Sequence, residues 1–197
     1  MAIQKVGDLK EEVRRLLPNP ASLEPARLRA IVRTYGLFAD KFVPWLTIVH
    51  DAQPPGAGRD ACRDNLLCEI EEDHPRLLRE FLAQIEVGER DITRIESHVA
   101  RCQPWITAID AHCRQPVPGL ALITGLEHAS LAFVPWLKEV ANMLRLGQVR
   151  YLETHGEADI AHARELEQAL AKSGGGDEVF LAFGLVHALL RDIFTGA

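Results

Sequence analysis

The chain has 197 residues, 47% of them hydrophobic and 25% charged, which is typical of one globular domain with a single core. Its 28 acidic residues outnumber its 22 basic residues and give a formal net charge of −6, so nucleic acid is not an expected partner. The four cysteines form no CxxC pair, which argues against a disulfide scaffold and favours reduced thiols: Cys62, Cys68, Cys102 and Cys113.

Two features of the sequence indicate whether the protein is inserted in a membrane or secreted. The longest apolar stretches begin at Phe42 and Val179 and fall short of the ~20 residues that a membrane-spanning helix needs. The first dozen residues carry five charged side chains where a secretory signal would be apolar. The sequence therefore predicts a cytoplasmic protein that has no membrane partner.

The periodicity of the sequence predicts an all-α fold. Apolar positions recur every three or four residues, and no sustained alternation typical of a strand is present. Breaks rich in proline and glycine separate seven helical segments and are too short to be domain linkers, so we expect a single helical domain over residues 1–197. The predicted helices lie at about 4–17, 23–52, 58–85, 89–114, 118–145, 148–172 and 177–195.

The pentapeptide FVPWL occurs twice, at residues 42–46 and 133–137. Because proline kinks a helix, the two copies predict equivalent bent helices. We interpret them as a sign of an internal pseudo-twofold repeat with halves at about 25–114 and 118–197. Two core helices that are alike by chance are the alternative.

The repeat also aligns residues that can carry chemistry. An offset of 88 residues places Glu71 opposite Asp159 and His74 opposite His162. The repeat would place the matching helices that carry these pairs on either side of one central axis.

The first candidate site residues lie in the run EIEEDH of the predicted helix 58–85. Glu71 and His74 are three residues apart, which puts them on neighbouring positions of one helix face. The rival acids Glu69 and Glu72 lie ~140° and ~160° around a helix from His74, whereas Glu71 lies ~60° away. Helix geometry and the repeat therefore favour Glu71, and a charged surface turn is the alternative interpretation.

The next candidate is Glu127, in a predicted helix that is apolar for nearly twenty residues apart from Glu127 and His128. A glutamate is seldom fully buried unless it is paired or bound to a metal. Glu127 therefore faces a site or marks an exposed stripe, and His128, ~100° away, is the second choice.

The most specific pattern is H-x3-D-x2-H, formed by His155, Asp159 and His162. On one continuous helix, Asp159 lies ~40° from His155 and His162 lies ~20° from it in the other sense, so all three share a narrow stripe. Leu152 and Leu166 share that stripe, which predicts that it packs inwards. Metal coordination would remove the cost of burying such groups, and imidazoles with a carboxylate suit iron, manganese or zinc. A solvated helix face is the alternative.

In order and spacing, the candidate residues resemble the ligand set of the haem-oxygenase-like diiron oxidases. They are Glu71, His74, Glu127, His155, Asp159 and His162. The resemblance covers residues of about 25–195 and implies a pseudo-symmetric bundle of seven to eight helices, shared with TenA-type thiaminases, PqqC-type cofactor synthases and haem oxygenase. It also implies two iron ions. Glu71, His74 and His155 would hold the first ion, and Glu127, Asp159 and His162 the second.

The same resemblance implies a non-haem diiron oxidase or oxygenase that uses O2 on a small amine, amino acid or fatty-acid-like metabolite. The implied reactions are N-oxygenation, desaturation and oxidative C–C cleavage. Tyr151, one turn before His155, is a candidate hydrogen-bond donor to a ligand or to the oxygen adduct, with packing as the alternative role. The candidate partners are a small-molecule substrate, an external electron donor and a second copy of the chain.

Two other functions stay open on the sequence alone. A TenA-type, metal-independent hydrolase would use a cysteine nucleophile, for which Cys68 is placed two turns before His74. A helical metal-binding or interaction module without enzymatic activity would use the same stripe as a binding site or as a buried hydrogen-bond network.

Overall fold

The structure is a computed structural model that describes residues 6–155 and 157–195. These residues form α-helices and one 3-10 turn at Pro20–Ser22, and they contain no strand, so the predicted all-α fold is confirmed. The helices are α1 (Val6–Leu16), α2 (Pro25–Ala39), α3 (Phe42–Ala52), α4 (Ala57–Glu71), α5 (His74–Ala83), α6 (Glu89–His112), α7 (Pro116–Met143), α8 (Arg150–Thr154), α9 (Glu157–Ser173) and α10 (Asp177–Thr195).

Three of the seven predicted helices are each divided in two. The division between α4 and α5 falls at Asp73, which has left-handed backbone angles of φ 56° and ψ 40°. Pro75 lies in the first turn of α5, where its missing N–H costs nothing, and proline disfavours helical backbone in the residue before it. The sequence therefore keeps its helical periodicity through residues at which the helix itself is broken.

The two FVPWL copies occupy different places in the fold. Phe42 begins α3, so the first copy opens a helix, whereas Pro135 lies inside the long helix α7. Pro44 has no N–H to donate to the carbonyl of Asp40 four residues earlier, and the chain separates α2 from α3 there. The twofold relation between the halves stays a prediction.

Helix α7 forms the centre of the core. It packs against α1, α9, α10 and α3, and eighteen of its residues are buried. Contrary to the expectation from the apolar stretches, α7 is long and apolar enough to cross a membrane. Because 78% of its most apolar window is buried inside the fold, we assign α7 as a core helix rather than a membrane span. The cytoplasmic location stays a prediction.

Each of the three tryptophans joins two parts of the fold through its indole N–H. Indole N–H groups require an acceptor when the ring is buried. Trp45 donates to Asp110 (2.6 Å), Trp105 to Asp192 (2.7 Å) and Trp136 to the carbonyl of Pro18 (2.6 Å). These bonds connect α3 with α6, α6 with α10, and α7 with the segment before α2.

Candidate metal centre

One cavity lies between α2, α3, the α4–α5 break, α7 and the α8–α9 break. Its empty volume is about 660 Å³ when the solvent at its opening is included. Acidic and imidazole side chains from three of these regions line it, and we name them the inner cluster. The inner cluster consists of Glu69, His74, Glu127, His155 and Asp159.

His74 is held by two carboxylates. Its Nδ1 lies 2.9 Å from Oε1 of Glu69, and its Nε2 lies 2.9 Å from Oε2 of Glu72. Burial lowers the pKa of His74, but the hydrogen bonds and charges of the two glutamates outweigh burial and raise the pKa to about 9. His74 is therefore an imidazolium at neutral pH in this arrangement, with both nitrogens donating.

Glu127 is a buried acid on the core helix α7, with 6% of its surface exposed. Burial raises its pKa to about 8, and the charge of Asp159 adds to this, whereas the amide of Asn65 opposes it. Asn65 donates its Nδ2 to Oε1 of Glu127 over 2.6 Å, and the buried Oδ1 of Asn65 has no hydrogen-bond partner among the described residues. Unsatisfied polarity therefore remains next to this acid.

Asp159 lies in the first turns of α9 and is 8% exposed. Burial raises its pKa; the nearby charge of His155 opposes this, and that of Glu69 adds to it. Two buried acids in one cavity thus both have a raised pKa. A cation bound between them would favour their charged forms and offset the cost of their burial.

His155 occupies extended backbone directly after α8, with ψ 106°. Its ring stacks on His74, with centroids 4.6 Å apart, and lies 4.5 Å from the ring of Tyr151. Its Nδ1 lies 2.5 Å from the carbonyl oxygen of Tyr151, to which it donates. When the ring is neutral, this bond places the lone pair on Nε2, the nitrogen that would then be able to bind a metal.

A pair of tyrosines borders the inner cluster. The hydroxyls of Tyr35 on α2 and Tyr151 on α8 lie 2.8 Å apart, and both residues are buried. Burial raises the pKa of both phenols, so both stay protonated at neutral pH. Tyr151 also packs against Phe81, with centroids 5.9 Å apart. Tyr151 therefore has a packing role and shares a hydrogen bond with Tyr35, and its role as a donor to a metal ligand stays a prediction.

The structure brings some of the predicted site residues together and leaves others apart. His74, Glu127, His155 and Asp159 line the cavity, and so does Tyr151. His162 is half-buried on α9; its charge acts on Asp159, but it does not line the cavity.

Glu71 lies apart from the inner cluster, and the structure does not bring it together with the other predicted site residues. It is exposed at the last residue of α4 and does not line the cavity. The helical-wheel argument for Glu71 assumed a continuous helix through His74, and the left-handed residue Asp73 breaks that helix. Glu69, rejected on the same argument, contacts His74 instead.

Asn65 is a further residue that the sequence argument missed. It is fully buried on α4 and lies one turn before Glu69. No pattern singled it out, because a buried asparagine can be recognised only once its partner Glu127 is in place.

The donor set of the inner cluster fits iron. Three carboxylates and two imidazoles are ligands that non-haem iron accepts, and the two buried acids have pKa values that a cation would lower. Among the described residues, no three His, Cys, Asp or Glu side chains already converge on one metal position. At His74, both ring N–H groups donate to glutamates, so neither nitrogen has a free lone pair for a metal.

Comparison with known proteins agrees with this chemistry. No curated protein matches the chain. A family model described as iron-containing redox enzyme matches residues 29–178, which include all of the inner cluster. Since that match spans most of the sequence, the chain belongs to the haem-oxygenase-like family of iron-containing redox enzymes.

Proposed function

We propose that the protein is a non-haem diiron oxidase or oxygenase that uses O2 on a small metabolite, with electrons from an external donor. The observation that carries the proposal is the inner cluster, in which three carboxylates and two imidazoles line one buried cavity. The family description supports an oxidoreductase that contains iron. When bound, two iron ions would supply redox chemistry with O2 that no side chain of the chain provides.

The ligand assignment follows the resemblance, with one residue changed. We assign Glu69, in place of Glu71, to the first ion with His74 and His155. Glu127 and Asp159 belong to the second ion, together with His162. The half-buried His162 would have to turn towards the cavity, and its position beside Asp159 supports this role.

His74 must release a proton and a partner before it can bind a metal. Glu72 is the freer of its two partners, because 39% of its side chain is exposed against 13% for Glu69. Glu72 can therefore turn into solvent while Glu69 stays in the cavity. Protons held by His74 and Glu127 would leave at the same time, so we expect metal binding to release protons.

The tyrosine pair organises the side of the cavity next to His155. The carbonyl of Tyr151 fixes the ring of His155 with its Nε2 free, and the two hydroxyls share one hydrogen bond. One hydroxyl hydrogen of the pair is left over, and it can be donated to a group inside the cavity. The chain thus holds a neutral hydrogen-bond donor beside the proposed metal ligands.

A metal-free role is the second candidate, and one observation favours it. The His74 imidazole is already fully hydrogen-bonded by Glu69 and Glu72, as in a structural network. A TenA-type hydrolase would need a thiolate, but burial raises the pKa of Cys68 to about 11, with Glu72 adding to the effect. The network therefore favours a non-catalytic or binding role over a cysteine nucleophile.

Asp159→Ala separates the iron enzyme from the metal-free network. In the iron enzyme, the variant loses a charged ligand, so we expect iron content to fall from about two per chain and O2 consumption to disappear. Anaerobic loading with Fe(II), metal analysis and O2 uptake are the measurements. The control is Glu165→Ala, which removes an exposed acid from the same helix and leaves both values unchanged.

The metal-free network predicts a different result. Deleting Asp159 would then lower stability by about 1–3 kcal/mol, because the neighbouring imidazoles of His155 and His74 lose an acidic partner. Wild-type protein would take up no stoichiometric iron under anaerobic loading. That result, or O2 consumption in Asp159→Ala equal to wild type, would contradict the proposed function.

A further inference from the structure

The part of the cavity outside the inner cluster is apolar and aromatic. Phe38, Phe42 and Phe133 line it from α2, α3 and α7, together with aliphatic side chains such as Val43 and Leu78. The ring of Phe133 packs on Tyr35 with centroids 5.2 Å apart, which connects this wall to the tyrosine pair. Much of the lining outside the inner cluster is therefore hydrocarbon and ring faces.

The charges that line this cavity are acidic, apart from the histidines of the inner cluster. Among the described lining residues there is no lysine and no arginine. The carboxylate outside the inner cluster is Asp40, the exposed residue that ends α2 at the α2–α3 break. Within the described chain, its side chain has no hydrogen bond or ion pair. Asp40 thus offers an unpaired negative charge at the rim of an apolar cavity.

We propose that the cavity takes an apolar amine, which binds as its ammonium ion with the charge at Asp40 and the hydrocarbon body against Phe38, Phe42 and Phe133. The proposal rests on the function proposed above, since it treats the cavity as the substrate site of that enzyme. A carboxylate at the cavity edge attracts an ammonium ion, and aromatic faces add cation–π attraction. The class of substrate is therefore narrowed to amines with an apolar body.

The same features disfavour an acid group at the rim of the cavity. A carboxylate there would have no arginine or lysine partner among the described lining residues, because the imidazolium of His74 lies in the inner cluster. It would also approach Asp40, a charge of the same sign. Selection against an acid group at the rim thus comes from the wall itself and does not require a steric block.

Three probes of nearly equal shape test the proposed charge preference: 3-phenylpropylamine, 3-phenylpropanol and 3-phenylpropanoate. Binding is measured by calorimetry on the full chain after removal of metal with a chelator. We expect the amine to bind about tenfold more tightly than the acid, with the neutral alcohol between them. Equal or tighter binding of the acid would overturn the proposal.

Asp40→Asn identifies where the ammonium ion binds. The residue is exposed, so the fold should tolerate this isosteric change, and we expect the amine to lose roughly two- to fivefold in affinity while the alcohol is unaffected. The control is Asp51→Asn, which removes an exposed charge from α3 away from the cavity and should change neither affinity. An amine affinity that responds equally to the two variants would overturn the role of Asp40.

The binding measurements stay separate from the iron chemistry. They use metal-free protein, so an amine preference that depends on Asp40 can be observed even if the chain binds no iron. Conversely, iron binding and O2 consumption that are intact in a protein without this preference would overturn only the substrate class.

Discussion

The backbone at Asp73 determines which carboxylate faces His74. Left-handed conformations are uncommon outside glycine, but asparagine and aspartate tolerate them better than other residues. At this residue the chain turns out of α4, so the side chain of Glu69 reaches Nδ1 of His74 and Glu71 stays in solvent. A single residue in an unusual conformation therefore changes the expected composition of the site.

Paired substitutions of Glu69 and Glu71 test this change at the residue scale. We expect Glu69→Gln to weaken iron binding by more than roughly 10- to 100-fold, the loss typical of a group that only orients a ligand, because Glu69 is itself a proposed ligand of the first ion. Glu71→Gln should bind iron like wild type, since that side chain is exposed. Titration of Fe(II) under anaerobic conditions measures both. Weaker binding in Glu71→Gln alone would return the ligand role to Glu71.

At the scale of helices, the sequence predicted some elements closely and missed the breaks in others. The predicted helices 4–17 and 177–195 match α1 and α10 because clear breaks in the sequence delimit them. At two of the missed breaks, a proline or a glycine within the periodic stretch indicates the end of a helix. Pro75 lies at the start of α5. In the sequence, His155 is followed by a glycine, and glycine commonly ends helices.

These breaks also explain which site residues the sequence could predict. The residue types and their order along the sequence were enough to select four residues that line the cavity: His74, Glu127, His155 and Asp159. The angles derived from a continuous helix failed where the helix is not continuous. His155 lies outside α9, so its place beside His74 comes from packing between elements rather than from a shared helical stripe.

Two glycines test how closely the helices pack. A Cβ at Gly119 would lie 2.9 Å from the carbonyl oxygen of Cys113 and 3.0 Å from Cγ2 of Val49, so the start of α7 would have to move away from α3 and from the end of α6. We expect Gly119→Ala to lower the free energy of unfolding by about 1–3 kcal/mol. Chemical denaturation measures the change.

Gly184 provides the matched control for Gly119. It lies inside α10, is exposed, and has no atom within 4 Å of a Cβ built on it. Gly184→Ala should therefore raise the free energy of unfolding by about 0.5–1 kcal/mol through helix propensity. If both alanines had the same effect, close packing at Gly119 would not be the cause.

At the scale of the whole molecule, buried ionisable groups make opposing contributions to the pH dependence of stability. His98 is fully buried between α2 and α10; Thr34 Oγ1 lies 3.2 Å from its Nδ1, and its Nε2 donates to the carbonyl of Asp192. Burial lowers the pKa of His98, so the folded state keeps it neutral. Glu127 acts in the other direction, because its folded-state pKa is raised to about 8.

His98→Gln isolates the contribution of the histidine. Below its ordinary pKa of 6.5, the unfolded chain protonates His98 while the folded chain resists, so unfolding takes up a proton and stability falls as pH is lowered. We expect the stability of wild type to fall more, or rise less, than that of His98→Gln between pH 7.5 and 5.5. Urea midpoints across this range measure the difference. Parallel curves for the two proteins would show that His98 titrates alike when folded and unfolded.

The indole contacts described for the fold give the molecule optical probes of its own. Trp45 is 1% exposed, and its ring lies 5.4 Å from Phe38, a residue of the cavity wall. The ring of Trp136 instead packs on Phe194 near the end of α10, with centroids 5.2 Å apart. We therefore expect a molecule that enters the cavity to change the fluorescence emission of Trp45 through the intervening ring of Phe38. The emission of Trp136 instead depends on how α10 packs against α7.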